Sequence, residues 1–129
     1  MKRLLIVTAA LEAGAGIALM VQPSAIATLV VGAPLATPAA VSLVRVGAAA
    51  LFALGAACWV ARRDTRSIAT SGLVAAMLLY NVGAIAVLAA AGFQLRPTGI
   101  ALWAAVIVHG VMAAWCLASL RIPTTEEAP

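Results

Sequence analysis

Residues 67–91 have the sequence SIATSGLVAAMLLYNVGAIAVLAAA, an apolar run with no charged side chain and with one polar pair, Tyr80-Asn81, near its middle. Folded as a helix with a rise of 1.5 Å per residue, such a run can cross about 30 Å of hydrocarbon. Three further runs are similarly apolar, and they cover residues 4–22, 39–61 and 98–120. These four runs predict four membrane-spanning helices.

The composition also indicates a membrane protein. The chain has 129 residues, of which 65% are hydrophobic and 9% charged, and its mean hydropathy is +1.14. Soluble domains average about 45–50% apolar and about 25% charged residues. The net charge of +4 does not indicate nucleic-acid binding, because the basic residues stand at the ends of apolar runs rather than on one face. We expect one transmembrane domain over residues 1–121 and a disordered tail over residues 122–129.

The distribution of basic residues predicts the orientation. One side of the predicted membrane holds Lys2, Arg3, Arg62, Arg63, Arg66 and Arg121, whereas the other holds Arg96. Because Lys and Arg are enriched on the cytoplasmic side, both termini should be cytoplasmic. The fold prediction is therefore all-α, an integral membrane antiparallel four-helix bundle with both termini in the cytoplasm. We expect the first span to remain uncleaved, since Glu12 would interrupt the apolar region of a signal peptide.

The segments that connect the predicted spans also contain residues that predict local structure. Residues 23–38 form the longest one, which is uncharged and bounded by prolines. Ser24 is placed to cap a short helix that ends at Gly32, and this segment should lie in the outer interface or fold over the mouth of the bundle. Pro97 and Thr98 suit the first turn of the fourth span.

Small residues four positions apart are frequent and allow close contact between membrane helices. The spacings are Ala10/Gly14, Ala49/Ala53/Ala57, Gly72/Ala76 and Ala101/Ala105. Alanine is so abundant that these spacings alone do not predict an oligomer.

Each predicted span has a polar or ionisable group near its middle. A charge at mid-bilayer costs at least about 2.5–3.5 kcal/mol on insertion scales, so such groups tend to face one another. Helical rise places Glu12 about 12 Å and Arg45 about 24 Å from the cytoplasmic edge, with His109 and Asn81 between them. The candidate ligand-binding or proton-relay residues are therefore Glu12, Arg45, Tyr80, Asn81 and His109.

Glu12 and Arg45 allow two interpretations. A direct ion pair would hold the first two spans in register. Alternatively each has a separate partner, because helical side chains lean towards their own N-terminus and these two lean apart. In that case Glu12 can exchange a proton or bind a cation, and Arg45 offers its donors to an anionic or carbonyl-bearing ligand.

His109 is the single histidine of the chain, which argues against a metal site within one chain, and no cofactor is predicted. It is expected either as a neutral hydrogen-bonding partner of Asn81 or Tyr80 or as a proton relay. Asn81 should face other helices, because an amide that faces lipid stays unpaired. Cys58 and Cys116 are expected to be small buried apolar residues. No catalytic sequence motif occurs, so an enzyme is not the favoured interpretation.

Several of these residues also carry a resemblance. The chain contains in order Leu11-Glu12-Ala13-Gly14, Pro23, Arg45-Val46-Gly47 continuing to Leu51, Gly55 to Trp59, Tyr80-Asn81, Trp103 and His109. Over about residues 4–120 this pattern resembles a group of small bacterial four-span membrane proteins of uncharacterised function, broadly similar to DoxX-like bundles. The resemblance implies a compact four-helix bundle in the inner membrane, and it brings no substrate or catalytic residue with it.

Three hypotheses for the function follow. In the first, the polar groups line a pocket that binds or transports a small, largely apolar molecule with a polar head. In the second, they hold the helices together in a structural or accessory subunit that associates with a membrane-protein partner or with copies of itself. In the third, the protein is a redox component that binds quinone or haem. The lipid bilayer is the expected surrounding in all three, and nucleic acid is not a predicted partner.

Overall fold

The computed structural model describes residues 1–64, 67–95 and 98–121, and these residues form helices and their connections, without strands. The helices are α1 (Lys2–Val21), α2 (Pro23–Val31), α3 (Pro38–Ala61), α4 (Ile68–Gln94) and α5 (Leu102–Arg121). All except α2 are long and apolar enough to cross a membrane. The all-α prediction is therefore confirmed, and the four long helices occupy the four apolar runs of the sequence.

Short polar side chains and one glycine define several helix ends. Thr37 Oγ1 accepts a hydrogen bond from the amide of Ala40 (3.1 Å), and Ser67 Oγ accepts one from the amide of Thr70 (3.2 Å). These hydroxyls cap α3 and α4 at their N-termini. Gly32 ends α2 with a φ of 86°, a left-handed conformation that glycine adopts without steric cost.

The short helix α2 ends at the predicted glycine but begins differently from the prediction. Its first residue is Pro23 and its N-cap is Gln22, which makes no side-chain capping bond. Ser24 therefore lies inside the helix and is not the cap. The physical reason is that proline has its φ already fixed at a helical value and has no N–H to satisfy, so the helix starts two residues earlier than predicted.

The segment before α5 holds α2 in place. The amide of Ala101 donates to the carbonyl of Leu29 in α2 (2.9 Å), and a Cβ on Gly99 would collide with the backbone of Leu29. Because residues 98–101 contact α2 in this way, α5 begins at Leu102 and not at Thr98 as predicted. Pro97, residues 65–66 of the predicted tight turn and the tail over residues 122–129 lie outside the described residues.

The long helices pack most extensively as two pairs, α1 with α3 and α4 with α5. A Cβ on Gly16 would lie 2.7 Å from the carbonyl oxygen of Ala48, and a Cβ on Gly55 would lie 2.7 Å from the backbone nitrogen of Ala13. The backbones of α1 and α3 therefore touch at both glycines. Small residues permit this approach, which replaces the hydrophobic drive that water supplies to soluble proteins.

The small-residue spacings that were singled out in the sequence do not mark this contact. A Cβ on Gly14 or Gly72 would have nothing within 4 Å, and Ala10 and Ala49 are exposed. Four-residue spacings arise by chance in helices that are this rich in alanine. The contact between α1 and α3 therefore depends on glycines outside the named spacings.

The apolar core lies at the end of the long helices where α1 begins and α3 ends. Its buried members come from all four long helices and are Leu4, Leu5, Ala9, Cys58, Val74, Met77, Met112 and Cys116. Both cysteines are buried and unbonded to each other, in agreement with their predicted role as apolar core residues. The polar residues of α1, α4 and α5 lie immediately beyond this core.

Candidate functional site

Glu12 and Tyr80 join α1 to α4 through polar side chains. Glu12 is only 7% exposed, and its carboxyl group lies beside the hydroxyl of Tyr80. The two helices otherwise make few contacts, because α1 packs on α3 and α4 packs on α5. The carboxyl group therefore has a polar partner inside the protein, as the cost of a bare charge in hydrocarbon requires.

Asn81 is the most buried member of the polar group, with 1% of its surface exposed. Its Nδ2 donates to the carbonyl oxygen of Met77 one turn earlier (2.7 Å), and its Oδ1 lies 2.8 Å from Nδ1 of His109. Both ends of the amide are used. This explains why an amide is tolerated at this depth, and the contact with Met77 also fixes which end of the amide faces α5.

His109 connects α5 to this group in two ways. Its Nδ1 meets the amide oxygen of Asn81, and its ring packs edge-on against Tyr80 with centroids 5.6 Å apart and an interplanar angle of 78°. An amide oxygen can only accept, so Nδ1 carries the proton in this contact. Of the two predicted hydrogen-bonding partners of His109, Asn81 is the one that bonds to it, and Tyr80 contacts it through its ring.

The other ring nitrogen of His109, Nε2, has no hydrogen-bonding partner among the described residues. Nε2 is not fully buried either. Among the described residues, the one fully buried side-chain nitrogen or oxygen without a partner is Thr8 Oγ1. His109 therefore has one nitrogen committed to the protein and one open to a neighbouring space.

His109 also lines a pocket of about 530 Å³ at the opposite end of the helices from the apolar core. All five helices contribute to its wall, and the polar side chains among its described lining residues are Tyr80 and His109. Representative apolar members are Leu19 of α1, Val30 of α2, Val44 of α3, Val87 of α4 and Ala105 of α5. A volume of this size lies within the range of about 300–1,000 Å³ that is typical of small-molecule sites.

Arg45 stands apart from this group. It is exposed, it forms no ion pair with Glu12, and its Nε donates to the carbonyl oxygen of Met20 in the last turn of α1 (3.3 Å). The last carbonyls of a helix lack intrahelical partners and carry partial negative charge, so a guanidinium there is favourable. The arrangement agrees with separate partners for Glu12 and Arg45, although the partner of Arg45 is a main-chain group.

Thr8 is a buried polar residue that the sequence analysis did not single out. It is 1% exposed, lies one turn before Glu12 on α1, and its Oγ1 has no partner among the described residues. The four-residue spacing between Thr8 and Glu12 places both on one helix face and was the available signal.

The described part of the site offers an apolar pocket with two polar side chains. Within residues 1–64, 67–95 and 98–121, no group of three or more His, Cys, Asp or Glu residues is placed to hold a metal ion. What the site offers is an apolar wall with one accessible imidazole nitrogen. Such a wall can bind an apolar molecule and orient it through a single polar contact.

Four of the five predicted residues thus form a connected polar group: Glu12 with Tyr80, Tyr80 with His109, and His109 with Asn81. The contribution of α2 to the pocket was not foreseen beyond its predicted position over the mouth of the bundle. Comparison of the chain with protein-family models, with curated proteins and with solved structures found no match.

Proposed function

We propose that the protein binds, or binds and transports, a small and largely apolar molecule in the pocket beneath α2. The observation that carries this proposal is the pocket of about 530 Å³, whose described lining residues are apolar except for Tyr80 and His109. A protein in which the polar groups only hold the helices together needs no such space. The apolar wall would take up the body of the ligand, and His109 Nε2 would bind its polar head.

The pocket accounts for the polar group better than a purely structural role does. Asn81 is fixed by its own bond to the carbonyl oxygen of Met77, and its Oδ1 holds His109 in one orientation. A supporting residue that fixes a histidine in this way is typical of sites where the other ring nitrogen contacts a ligand. Glu12, through Tyr80, would in turn support the second polar side chain of the wall.

Co-purification tests this proposal directly. Replacing Ala105, which lines the pocket, with phenylalanine should fill much of the space. We expect mass spectrometry of the wild-type protein in mild detergent to detect a bound apolar molecule that is lost in Ala105→Phe. The matched control is Ala104→Phe, because Ala104 is exposed on the same helix and should retain the molecule. Equal recovery from both variants would contradict the proposal, provided that both remain folded.

We further propose that the four long helices cross the inner membrane of a bacterium in alternating directions, with both termini in the cytoplasm. The six-to-one distribution of basic residues supports this orientation. The exposed side chains of Trp59, Trp103 and Trp115 also support it, because tryptophan is enriched where helices meet the membrane interfaces. In this arrangement the pocket and α2 lie near the outer side.

Reporter fusions in a bacterial host test the orientation. A fluorescent protein that matures only in the cytoplasm should be fluorescent when it is fused after residue 121. A phosphatase that is active only outside the cytoplasm should be active when it is fused after Leu35, in the connection between α2 and α3. The reverse pattern would show that the chain is inserted the other way round.

A second candidate function is a redox component that binds haem through His109. The observation that favours it is again the histidine: metal-bound histidines commonly donate their other N–H to an oxygen acceptor, as His109 does to Asn81. A visible absorption spectrum of the purified protein tests this candidate. A haem band that disappears in His109→Phe would favour it over the binding of an apolar metabolite.

A further inference from the structure

We infer that the pocket selects molecules whose polar head is a neutral hydroxyl group, such as an alcohol, a phenol or a quinol, and that it disfavours ethers, carbonyl groups and carboxylates. This inference rests on the proposed function, because it concerns the ligand of the same pocket. It follows from which polar atoms of the wall donate hydrogen bonds and which accept them.

The first step is the orientation of the Asn81 amide. Nδ2 lies 2.7 Å from the carbonyl oxygen of Met77, an atom that can only accept. Reversing the amide would place two acceptor oxygens in contact, so the nitrogen must face Met77. Oδ1 is then the atom that meets His109.

The second step is the tautomer of His109. Since Oδ1 of Asn81 accepts, Nδ1 of His109 must donate across their 2.8 Å contact. The ring is neutral in this environment, because its contacts are an amide oxygen and the edge of Tyr80, and an uncompensated charge inside a membrane is costly. A neutral imidazole has one N–H, so Nε2 carries a lone pair and acts as an acceptor.

The third step concerns the rest of the wall. The hydroxyl of Tyr80 lies beside the carboxyl group of Glu12, and the other described side chains that line the pocket are apolar. Arg45 is not among them, since it bonds to Met20. Among the described residues that line the pocket, none offers a cation to a carboxylate head, and an ether or ketone would face an acceptor with nothing to donate. A hydroxyl group can donate its proton to Nε2, so that both groups gain a hydrogen bond.

A matched ligand series tests the inference without altering the protein. The probes are 4-octylphenol, 4-octylanisole and 4-octylbenzoic acid, which share the ring and the tail and differ in the head group. Binding to the full chain in detergent is measured by equilibrium dialysis, and the signal from Ala105→Phe is subtracted as partitioning into micelles. We expect the phenol to bind about tenfold more tightly than the anisole, the gain from one net hydrogen bond, and the benzoate to bind most weakly.

The outcomes separate the two proposals. If the anisole or the benzoate binds as tightly as the phenol, and Ala105→Phe still removes binding, the preference for a hydroxyl is wrong while the pocket stands. If none of the three exceeds the Ala105→Phe signal, the proposed function fails, and the inference fails with it.

A second measurement addresses the tautomer itself. His109 is the only histidine in the chain, so isotopically labelled histidine reports on this one ring. Nuclear magnetic resonance should find the proton on Nδ1 and an unprotonated Nε2. A proton on Nε2 would overturn the inference, because the wall would then present a donor. Addition of 4-octylphenol should shift the Nε2 resonance, and 4-octylanisole should leave it unchanged.

Discussion

Replacing Gly16 with alanine is expected to destabilise the protein by about 1–3 kcal/mol, the usual cost of forcing an extra methyl group into a closely packed contact. The added Cβ would lie 2.7 Å from the carbonyl oxygen of Ala48 and 2.8 Å from the amide nitrogen of Phe52. Both are backbone atoms of a helix and cannot rotate away. The two helices must therefore separate, and the dispersion contacts along their whole interface weaken.

The matched control is Gly14→Ala on the same helix. An added Cβ at Gly14 would have nothing within 4 Å, and alanine is the better helix former by about 1 kcal/mol in soluble hosts. We expect this variant to be neutral or slightly stabilised. Gly55→Ala should behave like Gly16→Ala, because its Cβ would lie 2.7 Å from the backbone nitrogen of Ala13.

Stability can be measured by titrating the protein in mild detergent with a denaturing one and following the fluorescence of the tryptophans. If Gly16→Ala and Gly14→Ala unfold at the same midpoint, the close contact between α1 and α3 is not what stabilises their association. An intermediate result, with Gly55→Ala alone destabilised, would place the closest approach nearer the end of α3.

Much of the fold could be predicted from the sequence, because its signals are local. Long apolar runs, prolines and capping hydroxyls determine where the helices lie, and Gly32 marks the end of α2. The start of α5 at Leu102 could not be predicted in this way. It depends on contacts between residues 98–101 and α2, which are distant in the chain, and a helical first turn would have broken them.

The candidate site was predictable only in part for a similar reason. The cost of polar groups in hydrocarbon indicates that Glu12, Asn81 and His109 should find partners inside the protein. It does not indicate which partners. Arg45 is also a polar residue in an apolar run, yet it bonds to a main-chain carbonyl of α1, a group that every residue possesses and that no sequence pattern distinguishes.

Asn81→Leu is expected to have the largest effect on the polar group, since it acts on both stability and binding. Leucine removes the bond to Met77 and leaves Nδ1–H of His109 buried without its acceptor. An unsatisfied buried donor costs about 1–3 kcal/mol. Val82→Ala serves as the control, because Val82 is the next residue along α4 and is 52% exposed, so its truncation should have little effect.

A double-mutant cycle with His109→Phe isolates the contact between Asn81 and His109. Hydrogen bonds between membrane helices average about 0.6 kcal/mol in such cycles and reach about 1.7 kcal/mol. We expect a coupling energy near the upper value, because Asn81 is 1% exposed and the contact is 2.8 Å long. A coupling energy close to zero would mean that the two side chains are adjacent but do not depend on each other.

Asn81→Leu also connects the stability of the protein with its choice of ligand. Without the Asn81 oxygen, nothing holds the proton on Nδ1, and the imidazole of His109 can place it on either nitrogen. Folded Asn81→Leu should therefore lose most of the tenfold preference for 4-octylphenol over 4-octylanisole while still binding both in the apolar pocket. If the preference survives with an unchanged histidine resonance, the ring is held by Tyr80 alone. Asn81 would then be required for the packing of α4 on α5 and not for the choice of ligand.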